Sequence, residues 1–148
     1  MAEYARTEIA TLAPEIAPLL RGAWAEANSS LPYPLAPNMD LYCELEERNI
    51  LRIFRARADG ALVGYAIIFI APRPHNRERL VGVLDVIYVA PEHRRQGVAL
   101  GLLTFAESAL KAEGIATLSI GARDDRFARW LRMTGGYRYA ETIYEKEL

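Results

Sequence analysis

Residues 84–99 contain the end of a strand, a glycine and the beginning of a helix, and together these could bind an anion. The strand pattern ends at Val89, and Pro91 stops sheet pairing because it has no N–H to donate. Gly97 allows the backbone to approach a ligand closely, and a helical pattern begins at Val98. The first N–H groups of a helix are unpaired and lie at the positive end of its dipole. The spacing therefore predicts a phosphate-binding loop.

Three further residues of this loop fit that prediction. Arg94 and Arg95 add positive charge, and the small Ala99 leaves room beside the first helical turn. Without its context, Arg-x-x-Gly-x-Ala would equally suit an ordinary strand-to-helix connection with solvated arginines. Two other phosphate-binding sequences, Gly-x-x-x-x-Gly-Lys-Ser/Thr and Gly-x-Gly-x-x-Gly, do not occur in the chain.

The composition is that of one ordinary globular domain. The chain has 148 residues, of which 51% are hydrophobic and 25% charged, and we expect a single domain over residues 1–148. The net charge of -1 disfavours nucleic acid and anionic membrane as partners. Apart from Lys111 and Lys146 every basic residue is an arginine, which either reflects codon usage or suits phosphate recognition.

The chain carries no signal for export or disulfide formation. Its one cysteine, Cys43, lies on an amphipathic segment and is interpreted as a buried structural thiol. Residues 1–11 lack the basic and apolar regions of a secretory signal, and no apolar stretch is long enough to span a membrane. We expect a cytoplasmic protein.

Periodicity along the chain predicts a mixed α/β fold around one sheet. The predicted helices are residues 11–28, Asp40–Arg48 with Asp40 as its cap, Val98–Glu113 ended by Gly114, and Asp125–Thr134. A polar loop, Pro72–Arg79, is predicted to separate the first two strands from the third. The predicted strands are Ile50–Arg57 and Ala61–Ala71 as a hairpin, Val81–Val89, Ala116–Gly121, and the closing strands Tyr137–Tyr139 and Thr142–Lys146.

The loop and this order of elements resemble the GNAT superfamily of N-acetyltransferases. The family pattern Arg/Gln-x-x-Gly-x-Gly/Ala is matched by Arg94, Gly97 and Ala99, and Gly136-Tyr137 stands where the family has Gly-Phe. A Pro-His pair at residue 75 is also similar to a phage-borne and bacterial subset. The resemblance implies a mostly antiparallel twisted sheet, splayed at the cofactor strand, with helices on both faces.

The resemblance also implies acetyl-CoA as cosubstrate, with no metal. The backbone of Ile87 and Val89 would pair with the pantetheine arm, and a splay or bulge of the strand near Tyr88 would expose an N–H to the acetyl carbonyl. Asp125 falls where the family often has the Asn that helps hold the pantetheine region. Backbone amides would bind the pyrophosphate at Arg95, Gln96, Gly97, Val98 and Ala99.

Two residues are candidates for the base that neutralises the acceptor amine. Strand alternation places Asp85 on one face with Ile87 and Val89, and apolar neighbours should raise its pKa. The other interpretation is a strand carboxylate paired with an arginine. His75 lies in the long polar loop, a type of segment that often carries function, although an exposed histidine is common there.

The acid that protonates the leaving thiolate is missing from its usual place. The family often has a tyrosine on the last helix, and the corresponding residue is Arg132. Water, Tyr137, Tyr139 or Tyr144 could replace it. Arg123 begins a stripe of arginines on this helix, which we interpret mainly as a solvated face.

The predicted reaction is transfer of acetyl from acetyl-CoA to a primary amine by direct attack in a ternary complex. The alternative is a regulatory protein that binds acetyl-CoA with weak or no turnover. A small-molecule amine and a peptide amine both remain open as acceptors, with aromatic residues such as Tyr33 and Tyr42 nearby. A homodimer, common in the superfamily, is open too.

Overall fold

The centre of the molecule is a five-stranded sheet in the order β1-β2-β3-β4-β5. Neighbouring strands are antiparallel except β4 and β5, which are parallel. The computed structural model describes all residues from 1 to 148. The elements are β1 Glu3–Thr7, α1 Ile9–Ala27, α2 Met39–Glu47, β2 Leu51–Ala58, β3 Ala61–Arg73, β4 Asn76–Val89, a 3-10 helix Pro91–Gln96, α3 Val98–Ala112, β5 Thr117–Ile120 and α4 Asp125–Gly135.

Helices cover both faces of this sheet, because β2 and β3 send alternate side chains to opposite sides. Phe54 and Ile68 pack with Leu102 of α3 in one hydrophobic cluster. Ile53 and Ile67 pack with α1 in the other. The mixed α/β fold, the mostly antiparallel sheet and the helices on both faces are thus confirmed.

The connection between β3 and β4 is shorter than predicted. Arg73 pairs with Asn76, so Pro74 and His75 alone form the turn, and the predicted polar loop Pro72–Arg79 is wrong. Residues 71–80 are exposed on both faces, because this hairpin arm extends beyond the helices. An arm without a buried face has no alternation of apolar and polar residues, so the sequence of residues 71–80 resembles that of a loop.

The structure differs from the predictions near both chain ends. The short strand β1 was not predicted, and the closing strands Tyr137–Tyr139 and Thr142–Lys146 are wrong, since no strand follows α4. Residues 138–148 are exposed, so their β-forming side chains lack the sheet neighbours that stabilise a strand. The cap of α2 is Asn38, whose Oδ1 accepts the Leu41 N–H at 3.0 Å, and not Asp40.

The sheet opens between β4 and β5. Residues Val81–Leu84 pair with β5, but β5 ends at Ile120 and the outer edge of β4 is unpaired from Asp85 onward. The predicted splay is therefore confirmed. A bulge accompanies it at Asp85, because Ile67 pairs with Val86 and the next residue pairs with Leu84. None of the helices has the length and apolar character needed to cross a membrane.

Candidate active site

The loop before α3 has the shape expected of an anion site. Gly97 has φ 75° and ψ 7°, in the left-handed region, and a Cβ built on it would meet no atom within 4 Å. The side chain of Val98 is buried and anchors the start of α3. No side chain caps this helix, and its first turn closes when Gly101 N–H donates to the Gly97 carbonyl at 2.9 Å. The N–H groups of residues 97 to 100 have no backbone acceptor and are available to a ligand.

Arg94 holds this loop in place. Its Nε donates to the Val89 carbonyl at 2.8 Å, and Nη2 forms an ion pair with Glu26 of α1 at 2.6 Å. The guanidinium also lies 5.2 Å from the centre of the Tyr88 ring. Arg95 is exposed, so it supplies the free positive charge of the loop. Arg94 therefore positions the backbone, a role that the sequence did not indicate.

The unpaired edge of β4 begins beside this loop. Ala90 N–H donates to the Val63 carbonyl of β3 at 2.9 Å. Backbone groups alternate direction along a strand, so those of Ile87 and Val89 face the open edge instead. This direction suits an extended ligand that adds to the sheet, although the Val89 carbonyl already accepts the Arg94 bond.

Asp85 lies on the face opposite to the predicted one. Ile87 and Val89 pack toward α3, whereas Val86 and Tyr88 pack toward α1 and α2. Asp85 lines a cleft on the α1 and α2 side, so the predicted common face with Ile87 and Val89 is wrong. The bulge is the reason, since one extra residue reverses the alternation of side chains. The predicted bulge near Tyr88 is three residues too late.

Asp85 is partly desolvated by its apolar surroundings, although its side chain still contacts water. Burial raises the pKa of the Asp85 carboxyl, and the positive charge of Arg123 partly counteracts this increase. Burial and the Asp85 charge also raise the pKa of Tyr42. The same two causes, burial first, raise the pKa of Tyr65, with Tyr42 contributing as well. An acidic group whose pKa is raised in this way can act as a base near neutral pH.

Arg123 contributes a positive charge near this cleft. Its Nη1 donates to the Ala27 carbonyl and, at 2.8 Å, to Asn28 Oδ1, so the segment before α4 is held to the end of α1. The sequence placed Arg123 in a solvated stripe of arginines. The position of Arg123 near Asp85 depends on the splay of β5 away from β4. The residue spacing alone does not reveal this splay.

A family model described as Acetyltransferase (GNAT) family matches residues 13 to 131, which is most of the chain. The chain belongs to the GNAT family. It is therefore an N-acetyltransferase, and the cosubstrate of a GNAT enzyme is acetyl-CoA. The open Gly97 backbone and the uncapped α3 fit this donor. No curated protein matches the chain by sequence.

Solved GNAT structures share the fold over nearly the full length. The ribosomal-protein-alanine N-acetyltransferase of Brucella melitensis biovar Abortus 2308 is 24% identical, with TM-score 0.72, covering 99% of this chain and 100% of that one. An aminoglycoside acetyltransferase from an uncultured soil metagenomic sample is 19% identical, with TM-score 0.80 and coverages of 100% and 99%. Aminoglycoside N-acetyltransferase AAC(6′)-Iy in complex with CoA is 18% identical, with TM-score 0.72 and coverages of 100% and 95%.

Two candidate catalytic residues of this GNAT domain lie away from the Asp85 cleft. His75 is in the turn at the tip of the hairpin arm, and ten residues of strand place it about 30 Å from Asp85. The hydroxyl of Tyr137 donates a hydrogen bond to the Glu107 carboxylate of α3. Burial, together with this bond, raises the pKa of Tyr137, which makes it a weak acid. The structure does not bring the three predicted catalytic residues together.

The last helix carries the remaining predicted positions. Asp124 caps α4 by accepting the Phe127 N–H at 2.7 Å, which leaves Asp125 exposed in the first turn. Arg132, at the position of the usual tyrosine, is exposed in the last turn.

His93 lies in the loop before α3, and its buried Nδ1 has no hydrogen-bond partner.

Proposed function

We propose that this enzyme transfers the acetyl group of acetyl-CoA to a primary amine by direct attack in a ternary complex. The observation that carries the proposal is the bulge of β4, which directs Asp85 into the cleft on one side of the strand. The backbone of Ile87 and Val89 meanwhile faces the open edge. One short segment of β4 could therefore contact both substrates, and proximity of this kind lowers the barrier to acyl transfer.

Asp85 is proposed as the base. An amine attacks only when neutral, and a desolvated carboxylate can take a proton from the ammonium form. The nitrogen then bonds to the acetyl carbon, the carbon–sulfur bond breaks, the nitrogen loses its second proton to water, and the thiolate of CoA gains a proton. Water is the proposed source of that proton, because Tyr137 is bonded to Glu107 and Arg132 replaces the usual tyrosine.

Acetyl-CoA is proposed to bind with its pyrophosphate on the amides from Arg95 to Ala99. Gly97→Ala would place a methyl group in the open space beside these amides. We expect acetyl-CoA affinity, measured by calorimetry, to fall about tenfold. Gly60→Ala is the matched control, because Gly60 also has positive φ, at 80°, and open surroundings. Equal affinity of the two variants for acetyl-CoA would exclude the loop as the phosphate site.

Replacement of the base should affect turnover but not donor binding. For Asp85→Asn we expect kcat/KM, measured by thiol release with an amine acceptor, to fall about 100-fold. The dissociation constant of acetyl-CoA should stay unchanged. Asp59→Asn, in the β2–β3 turn, is the control and should behave as wild type. An Asp85→Asn enzyme of normal activity would contradict the role.

The same assay decides between catalysis and regulation. The alternative, a protein that binds acetyl-CoA with little turnover, is motivated by the exposed Arg132 and the engaged Tyr137 hydroxyl. That alternative predicts tight acetyl-CoA binding without thiol release for any amine. A single domain over residues 1–148 and a cytoplasmic location stay predictions, and a homodimer stays an open alternative.

A further inference from the structure

The cleft beside Asp85 is mostly apolar. Its volume is about 600 Å³, and its lining includes Trp24, Tyr33, Leu41 and Phe69. Asp85 is the one lining residue with a formal charge. The amide oxygen of Asn38, the other strongly polar group, already accepts the N–H that caps α2.

Aromatic side chains form one wall of this cleft. The rings of Trp24 and Tyr33 lie 5.9 Å apart at 51°. Tyr33 is 51% exposed and Leu41 is 46% exposed, so large apolar surfaces contact water. A ligand with an apolar body would remove this surface from water, which is favourable.

The charges around the cleft suit one ammonium group rather than several. Asp85 supplies a single negative charge, and Arg123 is close enough to oppose a second cation electrostatically. Glu26, on the neighbouring turn of α1, is already paired with Arg94 at 2.6 Å. A second ammonium group would therefore lose its hydration without gaining a partner.

We infer that the acceptor is a small monoamine with an aromatic group, bound with its ammonium at Asp85 and its ring against Trp24 and Tyr33. This inference rests on the proposed function, and it narrows the acceptor class. A polycationic aminosugar or a polyamine fits the single carboxylate poorly. A peptide amine with a small first residue would leave the aromatic wall uncovered.

Competition between amines tests this inference. Phenethylamine, kanamycin, spermidine and a peptide with N-terminal alanine would be compared by thiol release, with the acetylated products identified by mass spectrometry. We expect kcat/KM for phenethylamine to exceed that of each other amine by at least about tenfold. A higher kcat/KM for any of the other three would overturn the inference.

Variants of the aromatic wall distinguish an effect on amine binding from an effect on the chemical step. Trp24→Ala should raise KM for phenethylamine roughly tenfold with little change in kcat, because apolar contact is lost in ground and transition states alike. Ile143→Ala removes a large apolar side chain that is 70% exposed outside the cleft, and it should match wild type. Equal KM values for the two variants would contradict the assignment.

Direct binding distinguishes this inference from the proposed function. Calorimetric titration of phenethylamine into the acetyl-CoA-bound enzyme should give saturable binding that Trp24→Ala weakens. Turnover of spermidine with no phenethylamine binding would refute the acceptor class and leave the acetyltransferase intact. Phenethylamine binding without thiol release from any amine would support the cleft and refute the proposed reaction.

Discussion

One extra residue in β4 determines on which face of the sheet Asp85 lies. Without the bulge, Asp85 would point with Ile87 toward α3 and away from the cleft. With the bulge it lies among Tyr42, Tyr65 and Arg123, where burial raises its pKa. The bulge therefore creates both the position of this carboxylate and its basicity.

The pH dependence of activity should follow from this environment. A base acts only when deprotonated, so kcat/KM should fall as pH drops through the Asp85 pKa, which lies above the ordinary aspartate value. Arg123 lowers that pKa, so Arg123→Gln should move the acidic limb of the profile to higher pH.

Arg126→Gln is the control for this shift, because Arg126 is exposed on α4 and forms no ion pair. It should leave the pH profile of kcat/KM unchanged. An acidic limb at the same pH in Arg123→Gln and wild type would show that Asp85 does not control the profile.

At the scale of elements, an ion pair joins the phosphate loop to α1. If Arg94 positions the loop, Glu26→Gln should loosen it and weaken acetyl-CoA binding a few-fold, since the Arg94–Glu26 pair is partly exposed. If Arg94 instead contacts phosphate, the same change would free the guanidinium and strengthen binding. The sign of the change in the dissociation constant, measured by calorimetry, decides between these roles.

Glu15→Gln is the matched control for Glu26→Gln. It removes a similar ion pair, with Arg57 at 2.6 Å, between α1 and β2. Acetyl-CoA affinity should not change in this variant. A loss of affinity as large as that of Glu26→Gln would indicate a general effect on α1.

The sequence predicted elements whose determinants are local. The Val98 helix, its Gly114 end and the turn at Gly97 before it depend on residues that are adjacent in the chain, and all three are found. The bulge at Asp85 depends on pairing with β3, so no pattern in β4 alone reveals it. The closing strands were predicted from β-forming residues such as Ile143, whose propensity has little effect without a neighbouring strand.

At the scale of the whole molecule, Glu113 joins three elements. This residue, at the end of α3, binds Arg52 of β2 at 2.8 Å and Arg6 of β1 at 2.9 Å. The Arg52 side chain is 9% exposed, so Glu113 is the counter-ion of a largely buried guanidinium. These two ion pairs hold β1 and β2 against α3, the helix that follows the Gly97 loop.

Glu113→Gln should therefore destabilise the protein. Arg52 would stay buried without a counter-ion, and we expect the free energy of unfolding in urea to fall by about 2 kcal/mol. Glu44→Gln, which removes the exposed pair with Arg48, should cost less than about 0.5 kcal/mol. Similar losses in both variants would contradict the special role of the buried pair.

The attachment of Arg94 to Glu26 has a consequence for how the two substrates affect each other. The same helix, α1, contributes Leu20 and Trp24 to the acceptor cleft. If acetyl-CoA orders the Gly97 loop as proposed, the effect would reach a wall of the proposed acceptor cleft through α1. Such coupling is reciprocal, because binding free energies form a closed cycle. The factor by which acetyl-CoA tightens amine binding must equal the factor by which the amine tightens acetyl-CoA binding.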